Sequence, residues 1–361
     1  MGFLRRSGPL KQFLNLLLLC PLLAAGCNSY VANKFVQAPN LSWAIRGQDA
    51  PPSVLLEHHV SQQLRLDVGP PAASLSVWIV NPIPSPDYPF IDVPPHGVPT
   101  VSLIAPPLVS PSAQPAKSPR GTIFLLPGLG DGKEEGPYQF LSLGLACQGY
   151  RVILVDHRGH GRSTGGRISY GAVESRDMVQ LLDALQQRGL IAGEVGAVGI
   201  SYGASIAICW AAIDPRLRVV VALEPFSSLR DAESDAGPMM LGAYRWMYSI
   251  DDFRDITRRM GRLAGFDPDR QNALVAIAHT TTPILLIHGE SDDFVRPTHS
   301  IHLHQADPNH SQLILVPGAD HFDLWFKGAN LIMGQSDEWF GRYLAPPASA
   351  AYPATRPERI N

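Results

Sequence analysis

Charge is sparse in this sequence: Asp, Glu, Lys and Arg make up 17% of its 361 residues, against about 25% in an ordinary globular chain. The net charge is −3 and no run of like charge exceeds a few residues, so nothing marks a nucleic-acid or other polyanionic partner. Cysteine is also scarce, with four in the chain. Once the N-terminal leader described below is set aside, Cys147 and Cys209 remain, both in apolar stretches of helical spacing. They read as free thiols, and no disulfide framework is implied. Neither C-x-x-C nor H-E-x-x-H occurs, so a metal fingerprint is missing. The apolar run Phe13 to Ala25 falls well short of the ~20 residues that a bilayer-spanning helix needs.

That run does have the form of an export signal, with Arg5, Arg6 and Lys11 ahead of it. Arg5-Arg6 is only a weak twin-arginine match. The run closes on Leu23-Ala24-Ala25-Gly26-Cys27, which resembles the lipobox of bacterial lipoproteins, where the cysteine thiol is acylated and becomes the first residue of the mature chain. Residues 1–27 are therefore expected to be a signal peptide with its lipobox, and the protein an exported, lipid-anchored component of the bacterial envelope. Ala24 stands where the motif more often has leucine, and ordinary signal cleavage or a retained anchor are the alternatives.

Proline, in contrast, is abundant at 33 residues, and unevenly spread. Between Asn81 and Arg120 it is too dense for regular structure, because each proline removes a backbone donor. This segment reads as a polyproline-like insertion or linker. Upstream, Val54 to Val68 and Ser74 to Val80 alternate like strands and are expected to form a hairpin opening the main sheet. Together, residues 28–119 form an N-terminal extension, and residues 346–361 read as a disordered tail.

From Gly121 the rhythm changes to short apolar runs separated by segments of helical spacing, the pattern of a parallel sheet with crossover helices. Strands are expected at Thr122 to Leu126, Arg151 to Asp156, Glu194 to Ile200, Val219 to Leu223, Pro283 to His288 and Gln312 to Val316. Helices are expected near 138–148, 173–188, 202–213, 298–306 and 322–344. The fold class is α/β, a mostly parallel sheet with helices on both faces, over residues 120–345. The longer, more charged stretch at about 225–278 reads as a small helical cap over the strand ends.

Gly-x-Ser-x-Gly occurs twice, around Ser163 and around Ser201. A serine that attacks carbonyls from this motif needs a buried strand running into a sharp turn and then a helix, which lifts its Oγ clear of the sheet. Ser201 has both: Glu194-Val-Gly-Ala-Val-Gly-Ile precedes it, and Tyr202-Gly-Ala-Ser-Ile-Ala-Ile-Cys-Trp-Ala-Ala follows. Ser163 sits in a glycine-rich loop and reads as a loop serine.

A serine hydroxyl needs an imidazole base, and the base needs a carboxylate to fix its tautomer. Glu290, Asp292 and Asp293 follow the strand ending at His288, and spacing favours Asp292. His321 follows the next strand and is the candidate base. Most other histidines read as surface or turn residues, including His299, His302 and His304, whose spacing fits an exposed helix face better than a metal site. An oxyanion needs prepositioned N–H donors, each worth about 3 kcal/mol. The candidates are the backbone amides of Tyr202 and of Leu129, the latter in the glycine-rich loop Pro127 to Gly132.

Five segments in this order resemble the α/β-hydrolase superfamily, in the branch of serine aminopeptidases, monoacylglycerol lipases and lysophospholipases. They are Leu125-Leu-Pro-Gly-Leu-Gly, Asp156-His-Arg-Gly-His-Gly-Arg-Ser, Gly199-Ile-Ser-Tyr-Gly, His288-Gly-Glu-Ser-Asp-Asp-Phe-Val and Gly318-Ala-Asp-His-Phe. The resemblance implies an eight-stranded, mostly parallel sheet, no cofactor, and a structural role for residues 156–163. Pro127 departs from it, standing where the family usually has histidine, and the proline insertion has no counterpart. The expected function is a serine hydrolase acting on an ester, a lysolipid or a short peptide, esterase-like first and aminopeptidase-like second. The rival of another class is a non-catalytic envelope lipoprotein that uses the fold for binding.

Overall fold

The computed structural model describes residues 28–40, 59–83 and 118–344. The leader with Cys27, the start of the first strand run, most of the proline-dense segment and the tail lie outside the described residues. Eight strands form a single sheet: β1 (Val60–Val68), β2 (Ala73–Val80), β3 (Thr122–Leu126), β4 (Arg151–Val155), β5 (Val195–Ile200), β6 (Leu217–Leu223), β7 (Ile284–Gly289) and β8 (Ser311–Val316). Their spatial order is β1-β2-β4-β3-β5-β6-β7-β8. The hairpin β1–β2 is antiparallel and joins the sheet antiparallel to β4, while the remaining neighbours run parallel.

The parallel strands read as continuous apolar runs because both faces of the sheet are covered. In β3, Phe124 and Leu126 point into one core and Ile123 and Leu125 into the other, as a side-chain period of two requires. The second core is closed by α2 (Gly136–Cys147) and α10 (Ala329–Tyr343), through residues such as Leu141, Ile332 and Phe340. The first is closed by α3 (Glu174–Gln187) and α4 (Tyr202–Ala211), where the Trp210 ring meets Phe124 edge-on at 5.1 Å. The one helix expected over 322–344 is in fact two, α9 (Leu324–Lys327) and α10, parted at Gly328.

Between β6 and β7 the chain forms α5 (Leu229–Leu241), a 3-10 turn at Gly242–Met247, α6 (Ile250–Ala264) and α7 (Ala273–Ile277). Ser228 caps α5 by accepting from Asp231 N–H, and Ser249 and Asp252 form a capping box on α6. Buried Phe253, Ile256 and Met260 recur at helical spacing on α6, with arginines between them. Helix α8 (Thr298–Ala306) lies between β7 and β8.

One element was not foreseen: α1 (Asn28–Val36) buries Val31, Ala32, Phe35 and Val36 and packs on α6. Its end is tied down by Ile168 N–H donating to Val36 O at 2.9 Å and Tyr170 O–H donating to Phe35 O at 2.9 Å.

Residues 156–163 form a polar knot under the sheet edge. Lys133 and Asp156 are fully buried and paired at 2.5 Å, and Lys133 Nζ also donates to Ser76 Oγ at 2.8 Å. Ser163, the serine of the other Gly-x-Ser-x-Gly, donates to Asp156 O at 2.7 Å and accepts from Ser76 N–H at 2.8 Å. Its hydroxyl is fully buried and holds β2 to the start of the loop.

Candidate active site

Strand β5 runs straight into Ser201, whose φ of 51° and ψ of −107° turn the chain sharply into α4. A residue with a side chain stays in this strained region only when its surroundings hold it there. The two flanking glycines show how. A Cβ on Gly203 would stand 2.1 Å from Leu126 O, and one on Gly199 would stand 2.4 Å from Gly203 O. The turn is pressed against the end of β3 with no room for a methyl group.

Ser201 Oγ lies 3.1 Å from His321 Nε2, and His321 Nδ1 lies 2.6 Å from Asp292 Oδ2. Three positions separated by up to 120 residues therefore form one hydrogen-bonded chain. Asp292 is buried, whereas its competitors Glu290 and Asp293 are exposed. Asp292 Oδ1 accepts from the N–H groups of Phe294 and Val295 at 2.9 and 2.8 Å. Burial alone would raise this carboxyl, but hydrogen bonds from His288 and His321 outweigh it and hold Asp292 well below the usual carboxylate range. It is an anion at neutral pH, oriented to accept a hydrogen bond from His321 Nδ1–H.

Leu129 and Tyr202 line the same cavity as Ser201, a space of about 60 Å³. The loop that carries Leu129 is braced from below: Gly128 N–H donates to Tyr138 O–H at 2.9 Å, and Tyr138 donates to Asp131 Oδ2 at 2.6 Å. The wall is otherwise apolar, with Phe35 from α1, Phe226 and Phe294, and one carboxyl group, Glu233 from α5. Burial pushes Glu233 up to about 8, against the hydrogen bond it receives from Thr257. At neutral pH the Glu233 carboxyl is therefore mostly protonated.

Several residues at the site carry no sequence pattern that announces them. Glu224, just past β6, is buried with a φ of 52° and puts Oε2 3.7 Å from His321 Nδ1. Burial, followed by the neighbouring charge of Asp292, pushes Glu224 up to about 9, so it is protonated at neutral pH. His288 is fully buried at the end of β7, with Nδ1 2.7 Å from Ser300 Oγ and Nε2 3.2 Å from Asp292 Oδ2. The expectation for the other histidines needs correction: His157, His160, His288 and His299 are all buried. His299 Nδ1 accepts from Ser227 N–H at 3.1 Å instead of facing solvent, because the side of α8 that carries it packs inward, while His302 is exposed. Among the described residues the one grouping with metal-ligand geometry is Glu224, Asp292 and His321. Its imidazole and its anionic carboxylate are already bonded to each other.

The family model for X-Pro dipeptidyl-peptidases (S15 family) matches residues 72–272, more than half of the chain. The chain belongs to the S15 family. The match includes Leu129, Ser201 and Tyr202 and ends ahead of Asp292 and His321. Among solved structures the chain is similar to the Pyrococcus furiosus esterase Pf2001, at a TM-score of 0.60 and 17% identity, covering 83% of this chain and 98% of that one. It is also similar to the acylaminoacyl peptidase of Pyrococcus horikoshii, at a TM-score of 0.50 and 13% identity, over 84% of this chain and 43% of the other. These likenesses show the α/β-hydrolase fold. A curated relative, the uncharacterized protein YqkD of Bacillus subtilis, is 26% identical over 179 residues, 48% of this chain and 56% of YqkD. The chain thus spans little more than half the length of that relative.

Proposed function

We propose that the protein is a serine hydrolase that cleaves carboxylic esters through an acyl-enzyme on Ser201. The observation that carries this reading is the unbroken contact from Ser201 Oγ through His321 to Asp292. Ser201 Oγ attacks the carbonyl carbon while its proton passes to His321 Nε2, and Asp292 stabilises the resulting imidazolium. The amides of Leu129 and Tyr202 meet the oxyanion. Collapse of the adduct returns the proton from His321 to the leaving alkoxide. Water then gives a proton to Nε2 and attacks the acyl carbon, which releases the acid and restores the Ser201 hydroxyl. No step needs a cofactor.

The aromatic cavity, with its Glu233 carboxyl mostly protonated, favours an ester with a small apolar acyl group, and supports the lipase-like branch that the motifs resemble. A second reading, a peptidase acting at a substrate's N-terminus, has Glu233 and the S15 family in its favour: an incoming ammonium group would draw the Glu233 carboxyl back to its anionic form. Hydrolysis of p-nitrophenyl esters of graded length, compared with X-Pro and aminoacyl anilides, separates the two. Ester turnover lost in Ser201→Ala supports the proposal. Anilide turnover exceeding that of every ester transfers it to the peptidase reading, and well-folded protein active on neither overturns both. Lipidation at Cys27 and residence in the envelope belong to the same proposal, and Cys27→Ala should release the protein from membranes. Unchanged partitioning would overturn that part.

A further inference from the structure

Three large apolar side chains stand in solvent within a short stretch: Met239 is 51% exposed, Trp246 78% and Ile250 69%. They mark the corner where α5 passes through the 3-10 turn into α6. Scattered exposed apolar residues are ordinary, but three together at one corner call for a partner. The N-terminal helix lands beside them. Asn28 Nδ2 donates to Asp252 Oδ1 and to Asp255 Oδ2, each at 3.1 Å, and Arg259 Nη1 donates to Ser29 Oγ at 2.7 Å. These bonds fix the start of α1 on the first three turns of α6. Cys27 directly precedes Asn28 in the chain.

We infer that the Met239–Trp246–Ile250 corner is a membrane contact surface, seated in the headgroup and acyl boundary of the bilayer that holds the Cys27 lipid. Trp is the side chain best suited to that boundary, having an apolar ring and a polar N–H. Two carboxylates beside the corner are paired with arginines, Asp251 with Arg254 at 2.9 Å and Asp255 with Arg259 at 2.6 Å, and Asp252 accepts from Asn28. The contact therefore rests on apolar burial and does not need anionic lipid. The elements that carry the corner and the anchor, α5 and α1, also supply Glu233 and Phe35 to the cavity beside Ser201. Contact at this corner holds that cavity against the lipid surface, which is where an acyl ester would be presented. The contact rests on the Cys27 anchor proposed above, and this consequence rests on the hydrolase reading as well.

The test uses full-length lipidated protein in phosphatidylcholine vesicles, with and without bromine on the acyl chains, read by tryptophan emission. Bromine should remove roughly the share of one tryptophan in six, and Trp246→Phe should abolish that loss. Ile250→Ser, which keeps Trp246, should weaken it. Three results overturn the proposal: quenching unchanged by Trp246→Phe, vesicle-bound protein that is not quenched, or protein that stays in the aqueous phase. A dimer in sedimentation that Trp246→Ser splits without any quenching would also overturn it, and would assign the corner to a second copy of the chain. Fluorophosphonate labelling of the same samples reports separately on Ser201.

Discussion

Glu224 Oε2 lies 3.7 Å from His321 Nδ1, the same nitrogen that Asp292 holds at 2.6 Å. Two carboxyl groups thus share one imidazole edge, and burial together with the Asp292 charge keeps Glu224 protonated. The folded-state value of about 9 lies above the ordinary 4.5. Its contribution to stability is therefore fully present below about pH 4.5 and is lost as pH rises through about 9. Glu224→Gln should match the wild type near pH 5 and exceed its melting temperature by several °C at pH 9. Thermal melts across this range check it, and parallel curves would contradict it.

Asp292→Asn keeps the shape of the side chain and its contacts to Phe294 and Val295 but can no longer stabilise the imidazolium. We expect kcat to fall by roughly 10³–10⁴ with KM little changed. Steady-state kinetics on a soluble ester decides this, and a loss under tenfold would mean that Glu224 or another group serves as the acid.

Sequence reasoning reached the parallel strands because each is apolar on both faces, and it singled out Ser201, Asp292 and His321, which the structure brings into contact, because local motifs follow strand ends. Glu224 stayed hidden, being a single polar residue past β6 with no spacing to mark it. The buried histidines were missed for a related reason: helical periodicity around His299 does not tell which side of α8 packs inward. Helix α1 could not be read at all, since what stabilises it is α6, more than 200 residues away in the chain.

Lys133 and Asp156 form a buried pair, at 1% and 0% side-chain exposure. Lys133→Met leaves the Asp156 charge uncompensated and should cost about 3–5 kcal/mol in urea unfolding. Adding Asp156→Asn removes the charge while keeping one oxygen for the backbone N–H of Lys133, and should recover part of that loss. A single variant as stable as the wild type would show that Asp156 finds other partners.

Tyr138 braces the loop that carries Leu129. Tyr138→Phe leaves Gly128 N–H without its acceptor, and kcat should fall on the order of tenfold with KM held, because a loosened oxyanion donor acts on the transition state. A change in KM alone would place Tyr138 in substrate binding.

The central claim is that Ser201 is an activated nucleophile, and covalent capture tests it most directly. The folded protein, treated with a fluorophosphonate and digested, should carry the label on the peptide containing Ser201, with labelling abolished in Ser201→Ala and strongly slowed in His321→Ala. Folded wild-type protein that takes no label, or a label that persists in Ser201→Ala, would contradict the account.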